Sequence, residues 1–163
     1  MLAADGKFTP AMVQAIVDEN VNWGNRLVVN YEDPRWQEID SESYAYISEG
    51  ATVDHFPVLG KGEVEVEFDI HQFDHEPTTT EIIEWQNENG YRPADRAETE
   101  TYLDVHKAAC QQNPIVGICG KESEGSGVRR IGEVSGHRNG RLLNIRHFHY
   151  EWLQFCRFIR VKK

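Results

Sequence analysis

Cysteine is scarce in this chain of 163 residues, and its placement argues against two kinds of structure. The three cysteines, Cys110, Cys119 and Cys156, make an odd count and include no CxxC pair. We therefore expect no disulfide framework, and a zinc site built from four cysteines or from a CxxC pair is excluded. Cys119 and Cys156 lie in apolar, strand-like contexts, where we expect free thiols that behave as small core residues.

Long apolar runs and the common catalytic motifs are also missing. No run of about 18 apolar residues occurs, so the sequence predicts no membrane insertion. Residues 1–7 lack the charged start and apolar centre of a signal peptide, so we expect cytosolic synthesis. The final location, on a virion or in a cytoplasm, is left open.

There is no P-loop, GxSxG elbow, HExxH helix or EF-hand loop. Since no nucleophile, base and orienting group come together, the sequence predicts a non-catalytic protein.

Positive charge is in deficit, and most of it lies late in the chain. The 17 Lys and Arg residues stand against 27 Asp and Glu, which gives a formal net charge of −10 at pH 7. This balance disfavours a nucleic-acid partner, because binding phosphates requires a basic surface. The late residues 121–163 are nevertheless rich in Lys and Arg. Neutralisation of the acidic region 63–100 within the fold is one explanation of this asymmetry.

Local patterns predict an α+β protein with two consecutive helices between strands. The predicted elements are a helix over 11–19 capped at Thr9, strands over 26–31, 44–47 and 63–70, helices over 78–89 and 95–111, and a strand over 115–119. The residues expected to face the core are Val64, Val66, Phe68 and Ile70 in the third strand, Ile82, Ile83, Trp85 and Gln86 in the next helix, and Tyr102, Leu103, Val105 and His106 in the last. No linker rich in Pro, Gly or Ser divides the chain, so we expect a single domain over 1–163.

Two pairs of histidines have a spacing compatible with a metal site. His71 and His75 follow Asp69, but they would share a face only on a helix, whereas the preceding pattern is that of a strand. His147 and His149 would lie on one side of a strand, which is a better ligand geometry, although no third ligand is close in sequence. A metal-dependent enzyme that uses either pair stays an alternative hypothesis. A structural subunit of a virion is another.

The tract 136–155 carries the strongest functional signal. It mixes large aromatic, cationic and apolar residues without a period of 2 or 3.6, which predicts a loop-rich C-terminal half and neither a helix nor a regular strand. An apolar strand at 115–119 and a strand-like segment at 156–163 frame it. A diverse loop rich in aromatic residues and Arg, held between ordinary strands, is typical of a binding surface.

The tract Gly136 to Lys163 resembles the variable region of ligand-binding proteins that are diversified by diversity-generating retroelements. The likeness is carried by Gly140-Arg141-x-Leu143-Asn144, Phe148, Glu151-Trp152 and Cys156-Arg157-Phe158-Ile159-x-Val161. Upstream, the Glu63–Phe73 strand, the Glu81–Gly90 helix, Tyr91-Arg92-Pro93-Ala94 and Pro114-Ile115-Val116 are similar to members from archaeal viruses and candidate-phylum bacteria.

The resemblance implies a C-type lectin fold of the formylglycine-generating-enzyme subgroup, with two helices on small antiparallel sheets. It implies a variable ligand-binding region at 120–158 and a protein or cell-surface target, with catalysis and cofactors absent. Adenine-directed mutagenesis of template AAY codons cannot produce Lys, Glu, Gln, Met or Trp. Between His137 and Phe155 only Glu151, Trp152 and Gln154 are such residues, and the first two belong to the frame. The Glu-Pro-Asn and Trp-Asn-Asp motifs of calcium-dependent lectins do not occur.

A rigid frame can present unrelated side chains only if those side chains do not stabilise the fold. The resemblance assigns Leu143, Phe148, Trp152, Phe158 and Val161 to the core, and Arg141, Glu151 and Arg157 to polar contacts of the frame. The predicted ligand-binding residues are Val128, Arg130, Ser135, His137, Arg138, Leu142, Arg146, His147, His149, Tyr150, Leu153 and Phe155. For Leu153 and Phe155, a place in the core of the last strand is the competing interpretation.

Overall fold

The computed structural model describes residues 25–118, 123–125 and 128–163. The helix predicted over 11–19, together with Cys119 and parts of the glycine-rich turn at 120–127, lies outside these described residues.

Nine strands and two α-helices make up the described part of the chain. The strands are β1 (Arg26–Asn30), β2 (Tyr46–Ile47), β3 (Glu63–Gln72), β4 (Tyr91–Pro93), β5 (Ile115–Ile118), β6 (Ser123–Gly125), β7 (Val128–His137), β8 (Gly140–His147) and β9 (Arg157–Lys162). The helices are α1 (Thr79–Glu88) and α2 (Arg96–Val105), and short 3-10 turns span Pro34–Gln37, Ser41–Ser43, Val53–His55 and Lys107–Gln111. This mixture confirms the predicted α+β class. No helix among the described residues is both long enough and apolar enough to cross a membrane.

The strands of the described residues form one mixed sheet. Its order is β1-β3-β9-β5-β7-β8-β2, with β4 paired to β9 and β6 paired to β7. β5 runs parallel to β9 and β2 runs parallel to β8, while the other pairs are antiparallel. The expectation of small antiparallel sheets is therefore wrong. Residue patterns identify single strands, whereas this sheet depends on β9, late in the chain, inserting between β3 and β5.

The two helices cover opposite faces of the sheet. Successive residues of β5 show this arrangement, because side chains alternate between the faces of a strand. Ile115 packs in the apolar core that contains Leu103 of α2, whereas Val116 packs in the core that contains Ile82 of α1. Gly117 lets α2 approach the sheet closely, since a Cβ at this position would overlap the side chain of Thr99.

Both helices begin with a capping box. Thr78 Oγ1 accepts a hydrogen bond from Glu81 N at 3.2 Å, and Thr78 N donates to Glu81 Oε1 at 3.4 Å. These contacts satisfy backbone donors that the first helical turn leaves unpaired. Gly90, with a φ of +76°, follows the end of α1 in a conformation that favours glycine. The cap and the glycine stop of this helix are as predicted.

Basic residues of the late chain pair with acids of the region 63–100. Arg160 lies 2.7 Å from Asp69, Lys162 lies 3.5 Å from Glu67, and Arg141 lies 3.5 Å from Glu100. Neutralisation within the fold, which the charge asymmetry suggested, is confirmed for these pairs. Asp69 and Glu67 of β3 are thus ion-pair partners of residues in β9.

The interior differs from the prediction at two valines. Val105, expected on the apolar side of the last helix, is 58% exposed, because α2 ends at this residue and does not continue to Gln111. Val64 is 45% exposed, since the early part of β3 pairs only with the edge strand β1.

The loop-rich C-terminal half is also a wrong expectation, because β7 and β8 form a long antiparallel hairpin. Gly140, at the turn, has a φ of +130° that favours glycine. The strand period is hidden in the sequence because both faces of the hairpin are partly covered. Val134 and Leu143 are buried on one face, and Ile131 and Glu133 are buried on the other.

Candidate ligand-binding surface

The β7–β8 hairpin divides the predicted ligand-binding residues between its two faces. By register and strand alternation, Ser135, His137, Leu142 and Arg146 share one face, whereas Arg130 and His147 form a cross-strand pair on the other. The first of these faces is the one that also carries Ile131, which packs in the α1-side core. We call it the α1-side face of the hairpin.

The loop 148–156 is fixed to the start of α1 by Trp152. The indole is 1% exposed, and its Nε1 donates to Thr79 Oγ1 at 3.0 Å. The backbone N of Trp152 donates to Pro77 O at 2.8 Å. A large buried ring whose N–H has a partner is a strong anchor. The loop therefore has a defined path over the α1-side core, without regular secondary structure.

Arg146 joins the hairpin to this loop. Its Nε donates to Glu133 Oε1 at 2.8 Å, and its guanidinium carbon lies 4.4 Å from the ring centre of Tyr150 and 5.7 Å from that of Trp152. Glu133 is 2% exposed, so its carboxylate needs a charged partner in the interior. The pairing with Glu133 orients Arg146, and Arg146 in turn orients the half-buried ring of Tyr150 by a cation–π contact.

The predicted ligand-binding residues differ in their access to solvent. The exposed ones are Arg130, Arg138, His147, His149, Leu153 and Phe155, and the half-buried ones are His137, Leu142, Arg146 and Tyr150. Leu153 and Phe155 are 44% and 46% exposed, so neither lies in the core of β9, which begins only at Arg157. The side chain of Val128 is outside the described part.

Ser135 is the exception to this pattern, because it has no exposed surface. Its Oγ lies 3.0 Å from His137 Nε2, so the hydroxyl contacts a neighbouring side chain in the interior. A ligand at the surface cannot touch Ser135, and its predicted contact role is corrected to support of His137. Burial lowers the pKa of His137, which favours the neutral imidazole.

The residues assigned to the core of the frame are all buried. They are Leu143, Phe148, Trp152, Phe158 and Val161, none more than 7% exposed. Arg141 and Arg157 make the polar contacts expected of them. Arg141 pairs with Asp104 and Glu100, and Arg157 donates to the carbonyl oxygens of Ala109 and Asn113. Glu151 differs, since its backbone forms a bridge with Thr78 while its side chain is exposed.

Two participants in this surface were not predicted. Glu133 holds Arg146, and the guanidinium of Arg129 lies 4.0 Å from the ring centre of Phe148. In the sequence, Glu133 is the single acid among the basic residues of 129–146, and this pattern could have indicated its role. No sequence pattern indicated Arg129, because a cation–π contact depends on tertiary packing that the sequence does not show.

The histidine pairs lie in different surroundings. The His71 ring stacks on Trp85 with centroids 4.5 Å apart, and burial lowers its pKa. His75 lies between Asp74, at 2.8 Å, and Glu81, at 2.6 Å, and these hydrogen bonds raise its pKa. Across the described residues, no three His, Cys, Asp or Glu side chains are grouped as a metal site would require.

Comparison of the chain with protein-family models, with curated proteins and with solved structures finds no match in any of the three. The functional argument therefore depends on the residues and contacts described above.

Proposed function

We propose that this protein is a non-catalytic ligand-binding protein that displays exchangeable side chains on a rigid frame, like the variable proteins of diversity-generating retroelements. One observation carries the proposal: within 137–158, every residue assigned to the core of the frame is buried, while nine of the assigned ligand-binding side chains are at least partly accessible. If the segment served only to pack the core, the buried and the accessible positions would not match the two assigned sets so well.

The scaffold that we propose is a C-type lectin fold of the formylglycine-generating-enzyme subgroup. The two helices and the mixed sheet support this assignment at the level of an α+β fold. The loop 148–156 supports it further, because its irregular backbone is held at Trp152 and then leads directly into the central strand β9. An irregular loop fixed at its base can carry varied side chains without altering the sheet.

The accessible side chains indicate a macromolecular target, a protein or another cell-surface component. Exposed Phe155 and Leu153 offer apolar area, and Tyr150 with Arg146 offers an aromatic ring beside a cation. Aromatic residues and Arg dominate the energetics of protein interfaces.

A variant at four of the predicted ligand-binding residues tests whether these side chains are dispensable for folding. We expect the quadruple variant His147→Ala, His149→Ala, Tyr150→Ala and Phe155→Ala to melt within a few degrees of the parent protein. The matched control is Trp152→Ala, which should lower the melting temperature far more, because it removes a buried ring. A quadruple variant that unfolds as readily as the control would refute the assignment.

The DNA beside the gene tests the retroelement origin. We expect a reverse-transcriptase gene and a near-copy of the segment that encodes 120–158. The two DNA segments should differ only at positions where the near-copy has adenine. Differences spread over all four bases would contradict the proposal and favour a virion subunit with an ordinary interface.

A further inference from the structure

A cleft of about 830 Å³ lies away from the turn of the β7–β8 hairpin and has a mainly apolar wall. Among the residues that line it are Pro57, Leu59, Ile83, Pro93, Ile118 and Ile131. Leu59, in this wall, is 84% exposed. The volume falls in the range of sites for small molecules.

The cleft has a topological origin. β5 pairs with β9 only at Ile115 and Val116, because Pro93 of β4 takes a position further along the same edge, opposite Arg160. β5 then continues along β7 as far as Ile118. The two strands thus share one edge of β9 and separate, and the space between their ends is lined by Pro93 and Ile118.

One acid in the wall of the cleft, Asp95, forms no ion pair with the described residues. Its Oδ1 accepts a hydrogen bond from Glu98 N at 2.9 Å, and its carboxyl group also forms a hydrogen bond with the side chain of Glu98. Glu98, by contrast, is fully engaged, since Arg92 donates to both of its oxygens at 2.8 and 2.5 Å and Tyr31 donates to it at 2.6 Å.

The charges of the cleft follow from these contacts. Arg92 and Glu98 neutralise each other, which leaves Asp95 as the acid without a cation of its own. Burial, together with the nearby carboxylate of Glu98, raises the pKa of Asp95. A cation that entered the cleft would relieve both effects, because it would compensate the buried negative charge.

We propose that this cleft binds a small molecule with an apolar body and one amine, whose ammonium donates to the carboxylate of Asp95. The apolar wall accommodates the body, and Asp95 selects the cation. A carboxylate would instead face Asp95 and find Arg92 already paired with Glu98. An alcohol of the same length would gain the apolar contacts without the charge. The inference is independent of the function proposed for the hairpin surface.

The test compares three probes of equal chain length, n-hexylamine, n-hexanol and n-hexanoate, on the full chain. Binding is followed by titration with amide NMR spectra, which also locate the contact. We expect n-hexylamine to bind roughly tenfold or more tightly than the other two, as a charge-assisted hydrogen bond allows. Amide signals of the cleft should shift. No saturable binding of n-hexylamine, or an affinity equal to that of n-hexanol, would overturn the proposal.

The variant Asp95→Asn should abolish the preference for the amine, and Asn still caps α2. Glu88→Gln, which removes an exposed acid from α1, is the matched control and should leave the preference unchanged. A preference that survives Asp95→Asn overturns the assignment.

The pH dependence of the parent protein keeps the test independent of whether the Asp95→Asn variant folds. The affinity for n-hexylamine should rise between about pH 5.5 and about pH 8.5, across the Asp95 pKa of about 7, while that for n-hexanol stays level. A level amine affinity overturns the proposal as well.

Discussion

Arg96 and Glu100 form an ion pair in the interior, with Arg96 Nε 3.1 Å from Glu100 Oε2 and the side chains 2% and 5% exposed. They lie one turn apart on α2. Tyr44 OH donates to Glu100 at 2.8 Å, and Arg96 donates to Glu38 O at 3.1 Å, so further partners compensate both charges. A buried ion pair needs such partners, because desolvation of two charges is costly.

Removing one member of this pair should destabilise the fold strongly. We expect Glu100→Ala to lower the free energy of unfolding by about 3–5 kcal/mol, because it leaves the Arg96 guanidinium buried without a countercharge. Urea denaturation measures the change. The double variant Arg96→Met with Glu100→Leu is the control and should lose less stability than the single one. Equal losses would show that packing, and not the unpaired charge, sets the cost.

A size exchange between Gly117 and Thr99 tests the contact of α2 with the sheet. Gly117→Ala should destabilise the protein by about 1–3 kcal/mol, since the added Cβ overlaps the Thr99 side chain. Thr99 Oγ1 is buried and has no hydrogen-bond partner within the described part of the chain, so Thr99→Ala should cost little. The double variant should recover most of the loss. Thermal unfolding of all four proteins gives the coupling energy, and simple additivity would contradict the prediction.

The hydrogen bond between Trp152 and Thr79 fixes the base of the loop 148–156. Thr79→Val and Trp152→Phe should each lower the free energy of unfolding by about 1 kcal/mol or more, through the lost bond and an unpaired polar group. Together they should cost less than the sum of the two, because the second change removes the group that the first one left unpaired. Chemical denaturation of the parent, single and double variants gives a double-mutant cycle. A coupling energy of zero would argue against the hydrogen bond between Trp152 and Thr79.

The titration of His75 should report its two acidic neighbours. Hydrogen bonds with Asp74 and Glu81 raise the pKa of His75. The protonated ring therefore stabilises the folded state most at pH values below the ordinary pKa of His, and this contribution is lost as the pH rises through the raised value. NMR titration of the ring should give a midpoint above the ordinary value of about 6.5.

Asp74→Asn supplies the comparison for this titration, since Asp74 is the larger cause of the shift and its side chain is almost fully exposed. The midpoint of His75 should fall in that variant while the fold is retained. An unchanged midpoint would show that the pair does not persist in solution.

Local chemistry explains what the sequence predicted well. The limits of α1 follow from Thr78, which caps the helix through its own side chain, and from Gly90, which takes up a positive φ. Both signals act within a few residues. The burial of Trp152 and Phe158 was predicted from the resemblance, and the structure confirms that both are buried.

Tertiary effects explain what the sequence did not predict. β7 and β8 look irregular because charged residues such as Glu133 are buried in them, and only the partner Arg146, thirteen residues later, makes that burial possible. Ser135 was placed at the surface because nothing in the segment reveals that this part of the α1-side face is covered. Such errors arise wherever a distant segment decides the environment.

The central position of β9 has a consequence for how variation in the preceding segment is tolerated. β9 follows 137–155 in the reading frame and yet supplies the strand between β3 and β5. Base changes in that segment leave β9 intact, whereas an insertion or deletion that shifts the frame replaces it. The sheet would then lack the strand between β3 and β5, so a frame-shifted chain should not reach the folded state.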